Sequence, residues 1–194
     1  AAGISIFGCT TNGEFIDEAT EKGSIAILLL DINRSYFQIY FEEYPEKNYR
    51  EITNRIAQKV KERFSAPAFF IAGSNMETDA EELLFGFEDV VGKEVNVYGC
   101  MAGDDFTFSD QFVFTNEYSS SRGLVCLALD EEKIMIRGVA TCGWRAVGTL
   151  RTVTKSSGNH VYTVDDIPVL DLTTKYGGLE NVSPDNEGLL LEIA

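Results

Sequence analysis

Basic side chains are scarce in this sequence, and they form no cluster. The 194 residues include 16 Lys and Arg against 31 Asp and Glu, which gives a formal net charge of −15 at pH 7. Nucleic-acid binding needs Lys and Arg to neutralise phosphates, so we expect no nucleic-acid partner. An anionic membrane surface would repel a chain of this charge for the same electrostatic reason.

Long apolar runs are absent as well. The longest, IAILLL at residues 25–30, is far shorter than the roughly 20 residues that a membrane-spanning helix requires. No charged start followed by an apolar segment marks a signal peptide. We therefore expect a soluble, cytoplasmic protein without membrane insertion.

The sequence has four cysteines but no C-x-x-C pair. They stand in apolar or Gly-rich contexts, as Cys9, Cys100, Cys126 and Cys142. A chain with 44% apolar residues can form a full core without disulfides, and a cysteine in apolar surroundings is usually a small buried residue. We expect reduced thiols and no disulfide.

Histidine is nearly absent, and this limits the available chemistry. A nucleophilic Cys9 or Cys100 would need a base, and nothing in the sequence brings the single histidine, His160, beside either thiol. A metal site made of these thiols with Glu14 and Asp104 would match no known zinc spacing and would mix hard and soft ligands. We predict neither an enzyme nor a metal site.

Hydrophobic periodicity predicts an α/β fold with mixed β-sheets and flanking helices. Apolar residues recur every three or four positions from Tyr49 to Phe64, which is typical of an amphipathic helix. Thr78 with Glu81 predicts the capped start of a second helix, and Gly92 predicts its end. A short helix is expected from Pro168 to Gly177, and 144–160 is expected to be mostly loop. Apolar, β-branched or aromatic runs predict strands at 3–9, 24–31, 35–44, 66–73, 95–100, 111–115, 123–130, 133–141 and 159–164.

One stretch occurs almost twice. ISIFGCTTNGEF (4–15) and VNVYGCMAGDDF (95–106) are both apolar runs that end in Gly-Cys, followed by a polar loop with an acid and then Phe. Each copy precedes a strand ending in Asp, a turn and a second strand. We therefore predict an internal duplication, in which 3–42 and 95–140 are related by a rotation. Since a strand begins within the first few residues, we also expect a piece of a longer chain, truncated at both ends.

The paired loops are candidates for a ligand site. In α/β sheets, ligands commonly bind beyond the carboxyl ends of strands, and the glycines leave backbone N–H groups accessible. We predict that the loops face each other across one crevice, so that N–H groups bind a ligand carboxylate and Glu14, Asp104 or Asp105 accepts from its ammonium group. Facing carboxylates should raise the pKa of at least one of them. The alternative is a pair of tight turns, repeated only because the halves are duplicated.

Four linked motifs resemble a known family. GCTTNGEF, YGCMAGDDF, CGWRAVG (142–148) and TVTKSSGNHVYTVDDIPVLDLTTKYGG (152–178) are similar, in this order, to the N-terminal FIST domain and the start of its C-terminal partner. The resemblance implies a first domain over 1–150, and a linker with the start of a second over 151–194. Members usually have Gly-Gly where this chain has Gly99-Cys100.

The resemblance also implies a function. It implies a bacterial sensory input domain that binds small ligands such as amino acids, in chemotaxis, histidine-kinase two-component or cyclic-dinucleotide signalling. The partners would be a small molecule and an output domain or protein. Two alternatives stay open: a docking or scaffold module without a small ligand, and a haem-based gas sensor with His160 as axial ligand. We expect no cofactor.

The predicted ligand site joins both loops to the CGWRAVG segment. Trp144 is interpreted either as a pocket wall or as a core aromatic, and Arg145 either as a partner of a ligand carboxylate or as part of a surface ion pair. The candidate residues are Gly8, Cys9, Thr10, Thr11, Gly13, Glu14, Gly99, Cys100, Gly103, Asp104, Asp105, Trp144 and Arg145.

Overall fold

The computed structural model describes residues 3–17, 19–74, 77–105, 109, 111–141, 145 and 148–177. The chain divides into two compact units, Ala1–Val139 and Ala140–Ala194. The predicted division at residue 150 stays a prediction.

The first unit combines β-strands with two α-helices. A single 3₁₀ turn, Arg34–Tyr36, precedes its fourth strand, and the helices are α1 (Tyr49–Lys61) and α2 (Ala80–Val91). Its described strands are β1 (Phe7–Cys9), β2 (Glu14–Ile16), β3 (Ala19–Glu21), β4 (Phe37–Glu43), β5 (Pro67–Gly73), β6 (Val97–Met101), β7 (Val113–Thr115), β8 (Ser119–Ser120) and β9 (Gly123–Asp130). The predicted α/β class with mixed sheets and flanking helices is confirmed.

The main sheet has the strand order β4-β9-β5-β6. β9 is antiparallel to both of its neighbours, and β5 and β6 are parallel. Seven of the eight residues of β9 are buried, which fits its continuous apolar sequence GLVCLALD and its central position. Its side chains alternate, since Leu124 and Cys126 join the core with the helices while Val125 joins a second core on the opposite face.

The two helices cover one face of this sheet. Ile52, Ile56 and Val60 of α1 are fully buried at the helical spacing that the sequence shows. In α2, Phe87 packs its ring 4.4 Å from that of Phe69 in β5. The predicted amphipathic helix is therefore confirmed.

The start of α2 differs from the prediction. Its N-cap is Asp79, whose carboxylate accepts from the N–H groups of Glu81 and Glu82. Thr78 is buried and donates to the carbonyl of Ser74 at 2.8 Å, so the predicted Thr78 cap is wrong. An ionised side chain at this end also suits the helix dipole.

The opposite face of the main sheet carries a smaller sheet, β1-β7-β8. Val113 of β7 is buried with Ala72 and Val125 of the main sheet, and Phe7 and Cys9 of β1 pack against this cluster. The carboxyl end of β1 is thereby held near that of β6. This layer of β-structure places the two Gly-Cys motifs side by side.

Two predicted strands do not form. Residues 24–31 have no regular secondary structure, and the side chains of Ile25 and Leu29 are 84% and 85% exposed. Residues 135–141 are likewise without a strand, and Val139 is 87% exposed. The equivalent parts of the two copies therefore differ, because β9 corresponds to an unpaired segment in the first copy. The internal duplication is not confirmed.

The second unit begins as a small antiparallel sheet. Its described elements are β10 (Val153–Ser157), β11 (His160–Val164), β12 (Ile167–Pro168) and α3 (Val169–Gly177). β10 lies in a segment predicted to be loop, whereas β11 and α3 follow the predictions. Among the described residues of the whole chain, no helix combines the length and the apolar character needed to cross a membrane.

Candidate functional site

The two Gly-Cys loops meet, as the repeat predicts. The N–H of Gly103 donates to the carbonyl of Thr10 at 2.9 Å, and the sulfur atoms of Cys9 and Cys100 lie 4.0 Å apart. A Cβ atom on Gly103 would lie 3.1 Å from the backbone nitrogen of Asn12. The loops are thus tied directly to each other. Their role in ligand binding stays a prediction.

The glycines of the two Gly-Cys pairs are explained by packing. A Cβ atom on Gly8 would lie 2.7 Å from the ring of Phe114, in the paired strand β7. A Cβ atom on Gly99 would lie 2.0 Å from the carbonyl oxygen of Ile71, in the neighbouring strand β5. Neither position has room for a side chain, so the strand packing alone accounts for these two repeated glycines.

The loop acids bind groups of the protein itself. Glu14 accepts from the hydroxyl groups of Thr11 at 2.5 Å and Ser24 at 2.7 Å. These two hydrogen bonds hold the pKa of Glu14 below its usual range, so the expected rise in pKa is wrong for this residue. Asp104 accepts from the N–H of Ser109 at 2.9 Å.

Asp105 is exposed and lies in a loose ion pair. Its carboxylate is 4.0 Å from the ammonium group of Lys22, and both side chains are largely exposed. Exposed pairs of this kind contribute little to stability, about 0–1 kcal/mol.

The thiol pair combines an exposed and a half-buried sulfur. Both cysteines are free thiols, with Cys100 exposed and Cys9 partly buried. The contact between the sulfur atoms lowers the pKa of Cys100 to about 7, and it raises the pKa of Cys9 above its ordinary value. The charge is favoured on Cys100 because the Cys9 S–H stabilises the Cys100 thiolate as its hydrogen-bond donor. The third described thiol, Cys126, is fully buried, and this burial raises its pKa.

A groove of about 500 Å³ lies at the other end of β1. Three separate segments form its walls: the residues before β1, the start of β4 with the preceding turn, and the end of β7 with the turn that follows. The lining residues are Ser5, Ile6, Arg34, Phe37, Gln38, Ile39, Phe41, Thr115, Asn116, Glu117 and Tyr118.

The groove contains two opposite charges that have no partner in the described part of the chain. Neither the guanidinium of Arg34 nor the carboxylate of Glu117 makes an ion pair or hydrogen bond with any residue that the structure describes. Asn116, another lining residue, fixes one wall, since its side chain accepts from the N–H of Ile6 at 2.7 Å and donates to the carbonyl of Ile4 at 3.2 Å. Sequence reasoning missed this groove because its residues come from distant segments and form no motif.

The remaining predicted site residues lie in the second unit. Arg145 is exposed and without regular secondary structure, whereas Trp144 lies outside the described residues. His160 is exposed at the start of β11, next to the turn at Gly158 and Asn159. The role of His160 as a haem ligand stays an untested alternative. No group of three or more potential metal ligands occurs among the described residues.

These features define an α/β domain, with helices on one face of its sheet and, on the other, a small sheet that borders a ligand-sized groove. The chain belongs to the FIST family, since the model of the FIST N domain matches residues 1–167. FIST domains are sensory domains of signal transduction. The resemblance found in the sequence motifs is thus confirmed. No curated protein and no solved structure matches the chain.

Proposed function

We propose that this FIST domain is an input module that binds a small zwitterionic ligand, such as an amino acid, in the groove beside β4, and that it passes the signal to an attached or partner output module. The observation that carries the proposal is the presence in one groove of two opposite charges, Arg34 and Glu117, that have no partner among the described residues. Family membership supports the sensory role.

The size and lining of the groove suit a small molecule. Its volume of about 500 Å³ falls in the range of known ligand pockets, roughly 300–1,000 Å³. Aromatic and aliphatic side chains, such as Phe37, Ile39 and Phe41, supply apolar walls. A guanidinium binds a carboxylate through two parallel hydrogen bonds, and a carboxylate accepts from an ammonium group. Arg34 and Glu117 are therefore complementary in charge to the carboxylate and the ammonium group of an amino acid.

The groove is a better ligand site than the paired loops. Glu14 and Asp104, which were expected to accept from the ligand, already accept hydrogen bonds from Thr11, Ser24 and Ser109. A ligand at the loops would have to share these carboxylates with groups of the protein. A ligand in the groove would instead pair with two charges that have no partner among the described residues. Binding at the loops stays a prediction, and titration of loop and groove variants distinguishes the two sites.

A thermal-shift screen with free amino acids tests this proposal. A ligand that binds only the native state stabilises it by about 2.7 kcal/mol at 100 times its Kd. We expect at least one amino acid to raise the Tm, and its N-acetyl and carboxamide derivatives, each lacking one charge, to lose most of this effect. If no amino acid raises the Tm, or if both derivatives act as well as the parent, the zwitterion proposal is wrong.

The proposed organism class, location and output module are inferred from membership of the FIST family. We propose a bacterial, cytoplasmic protein whose output is a chemotaxis, two-component or cyclic-dinucleotide signalling module, without catalytic activity or a cofactor of its own. The sequence of the full gene product would test this directly, because an attached kinase, cyclase or chemotaxis module would identify the output.

A docking role is the second candidate, and the exposed segment 25–30 favours it. Ile25, Leu28 and Leu29 are each more than 80% exposed, and contiguous exposed apolar groups often mark protein contacts. Under this alternative the amino acid screen gives no shift. Replacing Leu29 by Glu would then abolish binding to the output protein, while the ligand-sensor proposal predicts that amino acid binding survives this change.

A further inference from the structure

The contact between Cys9 and Cys100 joins two distant parts of the chain. Cys9 ends β1, where it lies opposite Val113 of β7, and Cys100 lies in β6, opposite Ala72 of β5. The two cysteines are 91 residues apart in sequence, yet their sulfur atoms are separated by 4.0 Å. A backbone hydrogen bond from Gly103 to the residue after Cys9 holds the two strand ends together. The pair is therefore built into the fold and does not depend on a flexible approach.

The two thiols differ in the way that an oxidation site requires. Cys100 is exposed, so a small oxidant can reach its sulfur, and Cys9 is half-buried beside it. Cys126, in the centre of β9, is fully buried and out of reach. The lowered pKa of Cys100, about 7, leaves roughly half of it as thiolate at neutral pH. The thiolate is the form that reacts with oxidants.

We propose that Cys9 and Cys100 form a hydroperoxide-reactive dithiol site, in which Cys100 is oxidised first and Cys9 then closes a reversible disulfide between β1 and β6. This site is separate from the groove, and it stands whether or not the groove binds an amino acid. The two thiols are expected to stay reduced until a hydroperoxide is present.

The chemistry balances in two steps. The Cys100 thiolate attacks the terminal oxygen of a hydroperoxide ROOH, the O–O bond breaks, and the alkoxide leaves as ROH after taking a proton from solvent, while Cys100 becomes a sulfenic acid. The sulfur of Cys9 then attacks the sulfur of Cys100, the S–O bond breaks, and the hydroxide leaves as water with the Cys9 proton. Two thiols are oxidised to one disulfide, and one hydroperoxide is reduced to an alcohol and water.

Closure requires a small movement. The sulfur atoms must approach from 4.0 Å to about 2.05 Å, the length of a disulfide bond. Cys100 is the more exposed of the two cysteines, so we expect its side chain to make this movement. The disulfide would link the ends of both Gly-Cys strands.

Peptide mapping of the unmodified chain is the primary test. The protein is exposed to hydrogen peroxide, quenched by alkylation under denaturing conditions, and digested without reduction. We expect one cross-linked peptide pair, joining Cys9 to Cys100, with Cys126 recovered as an alkylated thiol. A disulfide that involves Cys126 or Cys142 instead, or the absence of any disulfide together with unmodified Cys100, would overturn the proposal.

Three variants assign the roles of the cysteines. In Cys9→Ser, Cys100 should be trapped by dimedone as a sulfenic acid, because the resolving thiol is missing. In Cys100→Ser, the rate of peroxide consumption should fall at least tenfold. Cys126→Ala, the matched control, should consume peroxide at the wild-type rate, with circular dichroism reporting that each variant is folded. Peroxide consumption by Cys100→Ser at the wild-type rate would contradict the proposal.

Discussion

The sulfur atom of Cys9 lies 4.0 Å from that of Cys100, and this contact links the two Gly-Cys motifs. One S–H serves as a donor to the other sulfur, so the first ionisation of the pair falls on the exposed Cys100. The repeated motif thus produces an asymmetric pair of thiols. A duplicated sequence does not by itself predict that difference.

The pH dependence of alkylation tests this asymmetry. We expect the rate of Cys100 modification by iodoacetamide, followed by mass spectrometry of its peptide, to rise with a midpoint near pH 7. An ordinary cysteine has its midpoint at about 8.5. In Cys9→Ala the midpoint of Cys100 should rise towards the ordinary value, since the hydrogen-bond donor is lost. A midpoint that does not move would show that Cys9 is not the cause.

Glu14 should titrate below the usual range for a glutamate. Hydrogen bonds from Thr11 and Ser24 stabilise its carboxylate and lower its pKa. A carboxyl with a lowered folded-state pKa contributes stability above its unfolded pKa of about 4.3, and this contribution is lost as the pH falls through the folded-state value. An NMR titration of the Glu14 side chain measures the midpoint directly.

Two threonine variants, a test and a matched control, show whether the Thr11 hydroxyl lowers the pKa of Glu14. Thr11→Val removes the first hydroxyl donor and should raise the midpoint of Glu14, whereas Thr20→Val, at an exposed site on β3, should leave it unchanged. Equal midpoints in Thr11→Val and the unmodified chain would refute the role of this hydrogen bond.

Gly86 allows the close approach of α1 and α2. A Cβ atom at this position would lie 1.9 Å from the hydroxyl oxygen of Thr53 and 2.3 Å from the carbonyl oxygen of Arg50. We expect Gly86→Ala to lower the free energy of unfolding by about 1–3 kcal/mol, measured by urea titration, although alanine favours a helix by about 1 kcal/mol. Thr53→Ala should not rescue it, because the backbone carbonyl remains. A neutral Gly86→Ala would contradict this packing.

Much of the fold could be predicted from the sequence. The period of Ile52, Ile56 and Val60 identified α1, and the continuous apolar sequence GLVCLALD identified the central strand β9. The run at 25–30 is just as apolar, yet no described strand pairs with it. Composition shows that a segment can be a strand, but strand formation requires a partner backbone, which the sequence of the segment does not contain.

The candidate site was predicted only in part. The repeat correctly indicated that the two loops lie together, but the roles of Gly8 and Gly99 depend on Phe114 and Ile71, which belong to other strands. The groove forms where three segments pack together, one of them carrying Arg34, and no local sequence pattern predicts such a groove.

The cap of α2 could not be predicted from the sequence alone, because Thr78 and Asp79 are both good capping residues. In the structure Thr78 is buried and Asp79 caps the helix.

Calorimetric titration of groove and loop variants tests the central claim most directly, with the amino acid that gives the largest thermal shift as the titrant. We predict that Arg34→Met and Glu117→Gln each weaken binding by about 10- to 100-fold, the usual loss for a charge-assisted hydrogen bond, while Glu14→Gln, in the loops, leaves the affinity unchanged. The opposite pattern, with full affinity in both groove variants and weakened binding in Glu14→Gln, would place the ligand at the paired loops and contradict the account.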